Sequence, residues 1–600
     1  MARQPRRLRA GWLAALAGTA SVLLAGCVTV PTSGHVQAVN ITQGGASQGQ
    51  GYLQPIPAPP GHGWTPQQIV SGFLAANASF ASGHAVAREY LTGPASRAWQ
   101  PGWAVTVFAQ DPAVAQVPSA PQLSHAASSA VIVNVTGQIL GNVSDSGQYV
   151  IASSAHGTSQ DRFSLVRSDG EWRIAGLPGR LLLTEAEFRR VYQPRNLYYF
   201  DPAMQVLVPY PVYVPQEATP SDLATRLVSA LMNPPSGWLL GAAQTAFPAG
   251  TTLAGHQVTL DGGTAIVNLA GTAVTASETT LARVSAQLLW TLAGSSSDQP
   301  AIQSVELEIN GSPRTLPGTG SPVQGIGQYG GDVPSAAGHG SFYYTDSRGA
   351  VRTLSGTAQP NGSQGAAVPG QAGTGQNPLT DIAVSPDGRY VAGLGPGGSS
   401  LFTGTLDRGG QVTQRMTGTF TSLSWDAHDG LWAVGNGGIW LLAAGSGTAI
   451  KVINSVPAGT RVTALKVAPD GVRCAMIVSS ASGSQLLIAA VVHTGPQAYI
   501  GSTVPISSEN GHYTAMTWYD ADHIIALSQT SSGPVLDEVA VNGETLQPLP
   551  AEQGTVSITA DGSANPLVAG LSNGQMATLA SLGGLWSGYV AAGRGPVYPG

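Results

Sequence analysis

The apolar positions of this 600-residue chain change rhythm along its length, and each rhythm predicts a different element. Residues 11–25 (GWLAALAGTASVLLA) are apolar and uncharged, and they follow ten residues that carry Arg3, Arg6, Arg7 and Arg9 and no acid. A run of 15 suits the core of a secretory leader and falls short of the ~20 a spanning helix needs. Residues 28–63 have no period; rich in Pro, Gly, Gln and Ser, they read as a flexible tether. At Thr65-Pro66-Gln67-Gln68 the pattern of a capping box with Pro at the first helical position appears, and Ile69, Phe73, Ala76 and Phe80 follow at helical spacing. A second short helix fits 85–99, interrupted at Gly93-Pro94. Alternating runs at 103–108, 130–139, 148–153 and 162–167 then predict strands, the last turning through Ser168-Asp169-Gly170 into Glu171-Trp172-Arg173-Ile174. Helices followed by a curved antiparallel sheet make residues 64–192 an α+β domain.

Residues 193–317 repeat that mixture. Strands are predicted at 197–200 and 204–208, with 209–215 a Pro-broken connection. Thr219-Pro220-Ser221-Asp222 starts a helix with Leu223, Leu227 and Leu231 on one face. A hairpin turns at Asp261-Gly262-Gly263, and Ser277 caps a helix carrying Leu281, Val284 and Leu288. In a last strand Val305, Leu307 and Ile309 alternate with Glu306, Glu308 and Asn310. Residues 318–339 form a Gly-rich linker.

From about 340 to 600 the chain echoes itself. DIAVSPDGRYVAGL at 381 returns in altered form near 422, 464, 515 and 557, each time as two apolar runs around a polar turn. The anchoring residues Asp387, Asp429, Asp470, Asp522 and Asp561 are 42, 41, 52 and 39 apart. Periods of roughly 40–50 with short strands are the mark of propeller blades. A blade buries its faces only against its neighbours, so the ring must close. There is room for six blades: five are visible, 341–354 supplies a first, and 586–590 is positioned to fasten the ends.

Composition agrees. Only 10% of residues are charged, while Gly (78) and Pro (42) are abundant, which excludes a coiled coil and suits many strands joined by tight turns. The net charge of −6 offers no footprint for nucleic acid. Lysine occurs only at 451 and 466, a bias shared with the high Ala, Gly and Pro content of a GC-rich genome.

Motifs that carry chemistry are absent or misplaced. Residues 325–330 spell G-x-G-x-x-G, but in a linker without the strand and helix a phosphate loop requires. Residues 45–49 and 570–574 spell G-x-S-x-G, the first in the tether and the second in a turn between strands rather than a strand-to-helix elbow. The histidines show no H-x-x-x-H spacing, and His428, His493, His512 and His523 fall in or near blade turns. Glu306 and Glu308 share a solvated strand face. Neither a catalytic residue, a metal ligand nor a cofactor site is therefore assigned. Trp425, Trp432, Trp440, Trp518, Tyr519 and Trp586 fall inside blades, where most must be core; any that reach the central face would suit partner recognition. Trp432 and Trp518 are the candidates for such contact. Cys474, in a strand-like run, reads as a buried small hydrophobe.

The leader ends in Leu24-Ala25-Gly26-Cys27, which resembles the cleavage box of bacterial lipoproteins. On that resemblance the chain is cut between Gly26 and Cys27, and Cys27 carries an S-diacylglyceryl and an N-acyl group. Two such signals make anchoring stable. The first domain is similar to the nuclear-transport-factor-2-like fold, and the second resembles the GerMN domain of sporulation and germination proteins. With Val28-Thr29-Val30-Pro31-Thr32-Ser33-Gly34 after the cysteine, and with the domain order just given, the chain resembles the LpqB family of actinobacterial lipoproteins, which accompany the MtrA–MtrB two-component system. The resemblance implies a non-catalytic protein, lipid-anchored at the outer face of the cytoplasmic membrane. It would contact the extracellular part of an MtrB-like sensor kinase and affect cell-wall homeostasis, division or development. A wall-polymer or glycan-binding protein with exposed Trp, and an envelope hydrolase built on the propeller, remain as alternatives.

Overall fold

A computed structural model describes residues 57–600 apart from 81–82, 101, 103, 118–129, 153–156, 217–218, 294–301, 330–339, 356–363, 444–447, 496, 545–547, 563–565 and 591. Gly26 and Cys27 lie outside the described residues. The first helix, Pro66–Asn77, begins with the expected box: Gln68 N–H donates to Thr65 Oγ1 at 3.3 Å and Thr65 N–H to Gln68 Oε1 at 2.9 Å. Its Ile69, Phe73 and Ala76 are buried. Gly93-Pro94 does not interrupt one helix but opens another, Gly93–Ala98, capped by Thr92. The sheet runs Glu171–Gly176, Thr158–Ser168, Val131–Val143, Val105–Phe108, Leu181–Thr184, antiparallel except for the last pair. The strand Leu181–Thr184 and the helix Glu185–Val191 escape the alternation pattern because Leu181, Leu182 and Leu183 are buried on both faces. Phe73 meets the rings of Trp99 and Phe163 edge-on at 5.3 and 6.0 Å in the core between helix and sheet.

The second domain opens with a correction. Residues 209–215 are not a broken connection: Leu207–Pro215 is one strand, paired in full register with Tyr192–Phe200. Pro209, Pro211, Pro215 and, opposite, Pro194 all occupy one parity of that register. In a two-stranded ribbon the N–H groups of one parity point away from the partner, where a missing donor costs no ladder bond. Tyr213, of the same parity, uses its outward N–H on Gly147 O of the first domain at 2.7 Å. The helices Pro220–Leu231 and Glu278–Ala293 cover a sheet in which Thr264–Gly271 and Ser304–Ile309 run parallel. That sheet continues into the Gly-rich stretch. Val323–Gly325 pairs with Ser304–Glu306, and Gln324 is buried against Ser285 and Tyr329. The end of a three-residue strand, Val323–Gly325, and a single 3-10 turn, Ile326–Gln328, thus carry the start of the G-x-G text.

Residues 341–597 form six successive sheets of four or five strands. The first strands of the sheets are Arg594–Val597, Ile382–Val384, Phe420–Trp425, Arg461–Val467, Tyr513–Trp518 and Thr555–Thr559. Closure comes from Arg594–Val597, which pairs with Ser341–Thr345. Trp586–Val590, expected to fasten the ring, is instead the outer strand of the last sheet, beside Met576–Leu579. The long spacing from Asp470 to Asp522 has a cause: the hairpin of the fourth sheet, Ser484–Thr494 and Gln497–Pro505, is extended, and Ile453–Ser455 adds a fifth strand along it. One apolar cluster joins the second domain to the fourth and fifth sheets, from Leu207, Trp238 and Leu289 to Ile477, Ile488 and Ile524.

Candidate binding mouth of the propeller

Adjacent first strands of the ring are held by side chains rather than by a backbone ladder. Val467 N–H donates to Ser424 Oγ at 3.0 Å, Ala560 N–H to Thr517 Oγ1 at 3.3 Å, and Tyr598 N–H to Thr559 Oγ1 at 3.0 Å. Trp425 Nε1 donates to Ala383 O and Trp518 Nε1 to Lys466 O, again from one sheet to another. In four of the sheets the polar turn after the first strand is fixed by an aspartate that accepts backbone N–H groups two to four residues on. Asp387 and Asp470 do so as their spacing predicts. In the third and fifth sheets the residue is Asp426 and Asp520, not Asp429 and Asp522; in the first sheet Asp346 fixes a later turn in the same way, the one after the second strand Ser341–Thr345. The Asp-Gly and Asp-His text pointed to the later aspartate, but only the earlier one stands close enough to the strand end to reach those amides.

Between these turns the ring encloses a cavity of about 260 Å³. Its wall includes Trp518, Tyr519, Ile558 and Tyr598, with Ser424, Thr517, Thr559, Asp520, Asp561 and Lys466 as polar members. Lys466 extends from the fourth sheet so that Nζ donates to Leu423 O of the third at 2.9 Å. Burial pulls the amine down to about 8, against the attraction of Asp381. Desolvation in turn pushes the Asp381 carboxyl up. At the rim, His523 Nδ1 lies 3.0 Å from both oxygens of Asp520. Burial alone would raise Asp520, but hydrogen bonds from the imidazole and from two backbone amides outweigh it and hold the carboxyl low. The same contact, with Asp522 and Glu538 nearby, outweighs the burial of His523 and raises it.

Below the rim, Arg473 Nε donates to Asp470 Oδ2 at 2.6 Å, the pair 1% and 2% exposed, and its guanidinium lies 5.2 Å from the Trp518 ring. Asp522 accepts from Asn196 Nδ2 of the second domain at 2.6 Å, and burial pushes its carboxyl up.

The two candidate tryptophans have separate fates. Trp518 lines the cavity. Trp432 is 0% exposed, and its Nε1 donates to Asp426 Oδ2 at 2.8 Å, so it offers no surface to a partner. Cys474 is buried beside Arg473, and desolvation pushes its thiol up. His428 and His493 rings stand 5.2 Å apart, but among the described residues no group of three His, Cys, Asp or Glu is placed to hold a metal. The sequence carries no signal for Asp520, and for Lys466 only the scarcity of lysine.

Family models match in the same order as the domains. Residues 59–189 match "Lipoprotein LpqB, N-terminal domain", 196–315 "Sporulation and spore germination", and 356–599 "Lipoprotein LpqB beta-propeller domain". A Lipoprotein LpqB from Thermobifida fusca is 33% identical over 580 residues, covering 88% of this chain and 89% of the relative. Others from Streptomyces avermitilis and Streptomyces coelicolor are each 29% identical; the alignments cover 99% and 96% of this chain and the same shares of the relatives. With the domain order and the closed propeller already in place, the chain belongs to the lipoprotein LpqB family.

Proposed function

We propose that this chain is a non-catalytic accessory, held by acylated Cys27 on the outer face of the cytoplasmic membrane, that binds the extracellular part of an MtrB-like sensor kinase and so modulates a two-component system. The observation that carries the reading is the mouth of the propeller. Its hydroxyls, Ser424, Thr517 and Thr559, are each engaged by a backbone amide of a neighbouring sheet. Apart from Lys466, Asp520 and Asp561, its remaining side chains are mostly aromatic and aliphatic, as suits recognition. A partner that binds one state of a kinase better than another shifts the equilibrium by the difference in affinity. Tethering both to one membrane raises their effective concentration, so a weak contact suffices. A glycan-stacking role loses support with the burial of Trp432.

The test is crosslinking of the ectodomain in living cells, followed by capture from detergent-solubilised envelopes. The sensor kinase is expected to enrich over an unrelated lipoprotein control. Cys27→Ser is expected to release the protein from the membrane fraction and to reduce that capture. A kinase that never enriches, or a Cys27→Ser protein that still sediments with membranes, would overturn the reading.

A further inference from the structure

The charged and polar groups around the mouth differ in how much bonding capacity they have left. Asp520 already accepts from two backbone amides and from the His523 ring. Asp561 also interacts within the chain. The indole N–H of Trp518 is given to Lys466 O at 3.1 Å, and the hydroxyl of Tyr598 to Pro566 O at 3.0 Å. Both rings therefore offer the cavity apolar surface. Lys466 is different. An ammonium has three donors, and among the described residues its one hydrogen bond is to Leu423 O. No described carboxylate forms an ion pair with it; Asp381 acts on it only through its field. A cation with unused donors, on a cavity wall whose aromatic rings turn apolar surface inward, is a place for an anion.

Size narrows the anion. At about 260 Å³ the cavity lies below the ~300–1,000 Å³ of small-molecule pockets. One side chain with its flanking backbone at the rim fits that space.

We infer that the propeller mouth is a carboxylate acceptor: an acidic side chain of a partner segment enters the cavity beside Trp518 and Tyr598 and pairs with the Lys466 ammonium. This deepens the partner-binding reading and rests on it for the identity of the occupant. The Tyr598 and Trp518 walls favour the methylenes of a glutamate, and exclusion of water strengthens the charge-assisted hydrogen bond.

Because the chain has only two lysines, the test can be read at single-residue level. The full-length protein in detergent is acetylated with acetic anhydride, and modification of Lys466 and Lys451 is followed by mass spectrometry. Three probes are compared: the tripeptide acetyl-Ala-Glu-Ala-amide, its Gln counterpart, and inorganic phosphate. The Glu peptide is expected to slow acetylation of Lys466 several-fold and saturably, with Lys451 unchanged and the Gln peptide inert. Equal effects of Glu and Gln, protection by phosphate alone, or no protection at millimolar peptide would each overturn the acceptor.

A second arm uses capture of the kinase ectodomain. Lys466→Met is expected to weaken it about tenfold or more, the size of a charge-assisted bond, while Lys466→Arg retains most of it; thermal melting of both variants confirms that they fold. Failure of the peptide arm sinks the acceptor whatever the kinase does. Peptide protection without any kinase capture leaves the acceptor standing and sinks the kinase as its occupant.

Discussion

Burial inside the ring draws the Lys466 amine down to about 8, and Asp381 offsets only part of that cost. A lysine whose folded value lies below its unfolded one, about 10.5, binds fewer protons when folded across that interval. Stability therefore rises with pH between 8 and about 10.5, and the full penalty of the charge is present at neutral pH. Lys466→Met is expected to stabilise the protein at about pH 7 by roughly 1–3 kcal/mol, since removing a poorly paired buried charge relieves desolvation. The gain is expected to shrink by about pH 9.5, as the wild-type amine loses its proton. Urea denaturation at the two pH values checks this; a variant less stable at both would show that the Leu423 hydrogen bond outweighs the charge. The residue was hard to find in the sequence for a plain reason. Between buried Leu465 and Val467 it looks like the solvated face of a strand, and only closure of the ring turns that face into a channel wall.

At the scale of elements, local sequence signals decide the structure where the physics is local. The Thr65–Gln68 box, the Thr219 and Ser277 caps and the alternation of Ser304–Ile309 stand where the pattern placed them. The misreadings involve choices that only a partner strand can make. Prolines 209, 211 and 215 look like breakers until their parity against Tyr192–Phe200 is known. Asp429 and Asp522 look like turn anchors until the amides are seen to point at Asp426 and Asp520. Asp426 alone accepts from His428 N, Gly430 N and Trp432 Nε1, at 2.8 Å each. Asp426→Ala would strand those donors in a buried turn and is expected to cost about 3–5 kcal/mol. Among the described residues the Asp429 side chain makes only an exposed contact to Arg389 at 3.5 Å. Asp429 has a φ of 59°, so Asp429→Asn keeps a residue tolerant of that backbone and is expected to stay within about 0.5 kcal/mol. Equal losses in the two variants, measured by chemical denaturation, would return the anchor to Asp429.

For the whole molecule, domain order was legible because each module has its own period, but the joining of modules was not. The apolar cluster that runs from Leu207 and Trp238 to Ile488 and Ile524 makes the second domain and two sheets of the propeller share one core. Calorimetry is expected to show a single cooperative transition for those two domains; two resolved transitions would contradict a shared core. Deleting residues 591–600 removes the strand paired with Ser341–Thr345 and is expected to abolish that transition and expose apolar surface to aggregation. That strand follows the rest of the ring in the chain, so its pairing with Ser341–Thr345 spans about the whole propeller. Until Arg594–Val597 is in place the six sheets have no clasp, so the ring shuts in one late step that no earlier sheet can take by itself.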